Sequence, residues 1–235
     1  MKKTHQERRN SVKHKYALYP IIMSICALCC FLGVLLVFAS AVQPPWGRVA
    51  FLIFPALVLG LFGFLAAKGK LRLSATIAWT TALSVLLFFA SVFYVSVLCV
   101  WTATTTTTDI HFYSRAYGQI AEEDSVQEVF PQSIPADAKD ITFTYCPQFL
   151  QGGEEFILSY TTTDEILSNW TTRLKREAEW IGPNQQWYSE NNWSFDGVYG
   201  TRYQLDWDGG SNHGEICYVL IDEENRQITF YYSHW

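Results

Sequence analysis

Three stretches of the chain carry no acidic residue, no basic residue and no histidine: Tyr16 to Val42, Val49 to Ala67 and Leu73 to Trp101, of 27, 19 and 29 residues. At about 1.5 Å of rise per residue even the shortest reaches about 28 Å, close to the hydrocarbon thickness of a bilayer at about 30 Å. Core helices of soluble proteins rarely stay uncharged over such lengths, so the pattern predicts three membrane-spanning helices at 16–42, 49–67 and 73–101. An Ala39-Ser40-Ala41 sequence after a basic leader also fits a secretory cleavage site, but signal cores run about 7 to 15 residues and this one is longer, which favours a retained helix.

The pattern changes after Trp101. Residues 102–108, T-A-T-T-T-T-T, form a β-branched spacer, and 109–235 alternates between short strand-like and helix-like runs. A helix is predicted over Ile110 to Ile120. Ile141 to Cys146 alternates with period two and stops at Pro147, and Glu155 to Thr161 is its expected partner across a Gly152-Gly153 turn. Thr162-Thr163-Asp164-Glu165 fits a capping box, and Ile166, Trp170, Leu174, Ala178 and Ile181 then recur at helical spacing until Gly182-Pro183. Thr201 to Trp207, Gly214 to Ile221 and Arg226 to Tyr232 read as an antiparallel meander. Without the spacing of strand-helix-strand crossovers, the expected class is α+β, with about five antiparallel strands. The stretch 184–200 reads as irregular.

Charge sharpens the division. Residues 1–101 hold ten Lys or Arg against Glu7 alone, a net of +9, whereas 102–235 hold seven against 21 acids, a net of −14. Lys2, Lys3, Arg8, Arg9, Lys13 and Lys15 precede the first span, and Lys68, Lys70 and Arg72 join the second to the third, whereas 43–48 carries only Arg48. By the bias of basic residues toward the cytoplasm, the tail 1–15 and the 68–72 loop lie inside and the α+β domain lies outside the cell membrane. The uncharged spans disfavour ion or proton transport. Gly60 and Gly63 miss the four-residue spacing of the close-packing glycine motif. The acidic outer domain offers nucleic acid no basic surface, so the expected partners are the lipid bilayer and an envelope glycan, a peptide or another membrane protein.

Phe130-Pro131-Gln132-Ser133-Ile134-Pro135-Ala136-Asp137-Ala138, the aromatic strand after it and Leu150-Gln151-Gly152-Gly153 resemble a segment of uncharacterised membrane-anchored proteins from Gram-positive bacteria, over residues 130–180. The resemblance implies a bacterial cell-membrane setting; it carries no activity and no functional residue.

The chemistry-bearing residues form few constellations. Asp206-Trp207-Asp208-Gly209-Gly210-Ser211-Asn212 opens like a calcium loop but has Gly210, Ser211 and Cys217 where an oxygen ligand, glycine and glutamate are needed. Ser211 and His213 lack a third group to complete a nucleophile-base pair. No His or Cys pair has metal-ligand spacing, and no motif calls for a cofactor. Cys26, Cys29 and Cys30 fall inside a span, where thiols act as small apolar groups. Cys146 and Cys217, the only cysteines of the outer domain, are the disulfide candidates, since an oxidising exterior permits a bridge. The compositional excess is aromatic: Trp180, Trp187, Tyr188, Trp193, Phe195, Tyr199, Tyr203 and Trp207, interleaved with Asn and Gln. Such rings either close a core or stand as a binding platform, and Trp187, Tyr188 and Trp193 are the ligand-binding candidates. The expected function is a membrane-anchored, non-catalytic module for binding, sensing or assembly outside the membrane. The alternative is a cell-envelope hydrolase using carboxylates that sequence cannot pair.

Overall fold

The computed structural model describes residues 2–120, 124–149, 153–191, 199–208 and 214–235. The chain divides into two units, Met1–Thr102 and Ala103–Trp235.

The first unit is helical. Helix α1 spans Lys2–Ala39, a short α2 at Trp46–Val49 runs through a 3-10 turn at Ala50–Ile53 into α3, Phe54–Ala67, and α4 spans Leu73–Thr104. Ala17–Ala39, Trp46–Ala67 and Ser74–Thr104 are long and apolar enough to cross a membrane. Their outer surfaces carry Leu36, Phe51 and Phe93, each more than 70% exposed, a covering that water solvates poorly. Pro55 stands at the start of α3, where its missing amide has no partner to lose.

Small residues set the packing of α1 on α3. A Cβ added at Gly63 would stand 2.9 Å from Ile21 Cγ1, and one at Gly60 would stand 3.2 Å from Ser24 Oγ. Ser24 Oγ donates across the same seam to the Ala56 carbonyl at 2.7 Å. The two glycines therefore do serve close packing, against the expectation from their spacing. Three residues apart puts them on one helix face as surely as four does.

The second unit is an α+β domain with a six-stranded antiparallel sheet: β1 (Lys139–Cys146), β2 (Glu154–Thr161), β3 (Trp180–Pro183), β4 (Thr201–Asp208), β5 (Glu215–Asp222) and β6 (Gln227–His234), in spatial order β1-β2-β6-β5-β4-β3. The expected meander is β4-β5-β6, and the expected β1-β2 hairpin adds to it through β2 and β6. Thr107 of the spacer pairs with Tyr145 in both directions at 2.9 Å, adding a short bridge at the outer edge of β1.

One sheet face carries Phe143, Tyr145, Phe156, Leu158, Tyr160, Val219, Phe230 and Tyr232, all buried. It is covered by α5 (Tyr113–Ile120), α6 (Asp124–Val129) and α7 (Asp164–Glu177). Phe130, at the end of α6, packs 5.0 Å from Phe156 and 5.5 Å from Phe230, ring centre to ring centre, and Trp170 of α7 meets Phe230 edge-on at 5.1 Å. The 130–138 segment is thus partly a core plug and partly a loop: Tyr113 donates to the Pro131 carbonyl at 2.5 Å, and Thr162 donates to Asp137 at 2.7 Å. That last bond shifts the expected cap by one residue. Thr163, not Thr162, accepts the Ile166 amide at the start of α7.

Candidate functional site

The aromatic-rich region folds differently from its expected form. Helix α7 ends at Glu177, Ala178 turns extended (ψ 136°), and Trp180–Pro183, with Trp180 and Ile181 expected in the helix and Gly182-Pro183 as its stop, becomes an edge strand paired with β4. An edge strand tolerates Pro183, which lacks a ladder donor. Asn184–Glu190, expected as irregular, is a two-turn helix, α8. Its inner residues Asn184 and Trp187 are buried and its outer residues Gln185, Gln186, Ser189 and Glu190 are exposed. The short 3.6-residue stripe is hidden in sequence by proline and amide residues on both sides.

Helix α8 covers part of the second sheet face, where it closes over Arg202. This arginine is fully buried. Its guanidinium lies 3.5 Å from the Trp187 ring centre and 3.6 Å from that of Tyr218, with Tyr188 at 5.8 Å. Arg202 Nε donates to Gln204 Oε1 at 2.8 Å, and Nη1 donates to Asn184 Oδ1 at 3.2 Å. A planar cation between two ring faces keeps attraction that water would otherwise supply. The stack continues outward in both directions. Trp187 meets Trp207 edge-on at 5.2 Å, and Trp207 lies 5.9 Å from Trp235. Tyr218 stacks on Tyr231 at 4.7 Å, and the Tyr231 hydroxyl donates to Glu155 at 3.0 Å. Gln204 secures the β4 irregularity between Gln204 and Asp206 by donating to the carbonyls of Asp206 and Cys217.

Two of the three nominated ligand residues therefore stand in this satellite core. Trp187 is 4% exposed, and the half-buried Tyr188 packs at 5.5 Å against it. Trp193 lies outside the described residues, as do Ser211, His213 and the glycines of the calcium-like loop. Sequence reasoning missed Arg202, although the alternation Thr201-Arg202-Tyr203-Gln204 already put Arg202 and Gln204 on one face and Tyr203 on the other.

The expected disulfide is excluded by the sheet. Neither Cys146 nor Cys217 is joined in a disulfide. Strands β2 and β6 separate β1 from β5, so Cys146 and Cys217 stand about three strand spacings, or about 14 Å, apart, twice the reach of a bridge. Register puts Cys146 with Glu155, Ser233 and Ile216 on one face, while Cys217 pairs with Tyr232 on the other. Burial pushes the Cys217 thiol up, and the nearby Glu215 and Asp206 carboxylates add to it. Among the described residues no three His, Cys, Asp or Glu side chains converge as metal ligands would.

Beside the satellite core an open groove of about 310 Å³ runs between the start of α8 and the β5-β6 turn, lined by Gln185, Tyr199, Thr201, Asp222 and Glu223 among others. Tyr199 is 66% exposed. Gly200 holds φ +136°, and a Cβ there would stand 2.9 Å from the Ile221 carbonyl oxygen, so this position beside the ring requires glycine. Asp222 accepts the Asn225 amide N–H at 3.0 Å and its side-chain NH₂ at 2.7 Å, which holds its carboxyl below the usual carboxylate range. An exposed ring face with carboxylates, an amide and a hydroxyl can stack on a ligand's apolar face and hydrogen-bond its hydroxyl or amide groups.

The chain matches no protein-family model, no curated protein and no solved structure.

Proposed function

We propose that the chain is a membrane-anchored module of a bacterial cell envelope whose C-terminal domain lies outside the membrane and binds an envelope glycan or peptide in the groove beside Tyr199. The observation that carries this reading is the groove itself. Among the region's described aromatic rings, those of the Arg202 cluster serve a core, whereas Tyr199 is about two-thirds exposed next to polar groups from α8 and the β5-β6 turn.

The anchoring half rests on three apolar helices and their flanks. Arg48 lies with its guanidinium 3.5 Å from the Trp101 ring centre at the flank with one basic residue, and Lys68 packs at 4.8 Å over Phe64 at the flank with three. Aromatic rings paired with cations suit the polar boundary of a bilayer, and the excess of Lys and Arg favours a cytoplasmic 68–72 side.

The test has two readouts. Protease added to intact spheroplasts removes the C-terminal domain, and full protection of that domain defeats the topology. Purified full-length protein in detergent is then assayed on isolated cell-wall glycan and on its peptide cross-links. Tyr199→Ala weakens retention by about tenfold, near the lower end for a stacked aromatic. Equal retention of the two proteins on both polymers removes the groove from the reading.

A further inference from the structure

We propose that the membrane unit holds one acyl chain of a bilayer phospholipid in a cleft between α1, α3 and α4. The inference rests on the membrane reading above and goes beyond it to a ligand. Helix α4 meets its neighbours at two levels. Towards the 68–72 side, Thr76 and Thr80 are buried, as are Ala17 and Pro20, and Tyr19 and Thr81 share a hydrogen bond of 3.2 Å. Towards the other side, Phe38, Val49, Leu52 and Leu98 close into one apolar cluster. Between these levels the helices leave a cleft of about 170 Å³, lined by residues that include Cys30, Phe31, Leu59, Ser84 and Leu87.

The lining decides what fills the space. Ser84 and Ser91 supply its only hydroxyls, and the Ser84 Oγ is buried without a hydrogen-bond partner. A water there would want two to four polar partners, which this lining does not give it, whereas a dry apolar cavity of about 150 Å³ admits a benzene-sized guest. The occupant is therefore hydrocarbon. It enters from the side, because the lining residues Cys26, Cys30 and Phe88 are themselves exposed on the unit's surface. These positions fall midway along the spans, level with the tails of the surrounding lipid and about two turns or more from the charged flanks. A phospholipid tail is the hydrocarbon present at that depth in every bilayer.

The experiment uses the full chain in vesicles of phosphatidylcholine whose acyl chains carry a mid-chain diazirine. Photolysis labels Phe31, Leu59 and Leu87 in the cleft more strongly than Leu86 and Phe89, which are about two-thirds exposed on the outer surface. Filling the cleft by Ala27→Phe, or independently by Ser84→Leu, lowers cleft labelling by about tenfold, equivalent to about 1.4 kcal/mol, and leaves Leu86 and Phe89 unchanged. Uniform labelling of cleft and surface in the unsubstituted chain overturns the proposal. Release of the protein from membranes by alkaline carbonate would instead defeat the membrane reading on which the cleft depends.

Discussion

Arg202 is the residue on which the second sheet face turns, because its side chain holds Trp187 to Tyr218 and Asn184 to Gln204 at once. Lysine keeps the charge but has neither the flat face nor the forked donors, so Arg202→Lys should cost about 3 kcal/mol in denaturant unfolding of the full chain in detergent. Trp187→Ala should cost about 3 to 5 kcal/mol, the usual penalty for emptying a buried large aromatic. A change within about 0.5 kcal/mol would return that ring to the list of binding residues. Burial also shapes the alkaline limb of stability. It raises Cys217, Tyr113, Tyr145 and Tyr231, and takes Tyr160 to about 12. The unfolded chain would ionise these groups near about 8.5 for the thiol and about 10 for the phenols, so protons are lost from the unfolded state first. The contribution of these groups to stability should be flat below about pH 8.5 and fall as pH rises beyond it, with tyrosinate absorbance appearing together with unfolding. Tyrosines that all titrate near their ordinary value in the folded protein would contradict this assignment of burial.

At the level of elements, the sequence was most readable where one physical signal dominated. Three long uncharged runs became three helices, and alternation located β1, β2, β4, β5 and β6 to within two residues. It failed where two signals competed. Ile181 continued the helical spacing of α7, but strand pairing with Tyr203 claimed Trp180 to Pro183 instead. Nothing local announced α8, whose helix is made by the fit of Trp187 over Arg202, and that fit becomes visible only once β4 is in place. The candidate groove was legible in part: Tyr199 belonged to the aromatic excess, but its exposure depends on which rings the sheet absorbs. In the helical unit, spacing alone misjudged the glycines. Gly63→Ile should separate α1 from α3, since its first added carbon already meets Ile21 at 2.9 Å. Cysteine cross-links placed across that seam should lose most of their yield in the variant, and an undiminished yield would mean that the helices do not rely on this contact.

For the whole molecule, the separation of its thiols gives a direct check of the sheet order. In native, non-reduced protein Cys146 should alkylate, and Cys217, fully buried and with its thiol held protonated, should alkylate only after unfolding. A bridge between them would require a different sheet. That sheet order has a further consequence, in time. β6 is last among the strands in sequence and lies between β2 and β5, so the early hairpin β1-β2 and the later strands are joined only when it arrives. Between Thr161 and Gln227 lie 65 residues, several seconds of synthesis at about 5 to 20 residues per second. During that interval β2 presents an unpaired edge, the kind of surface on which strands of different chains associate. The domain thus emerges as two halves awaiting their centre. Truncation after Asn225 would remove the seam rather than a margin, leaving two fragments without a shared core.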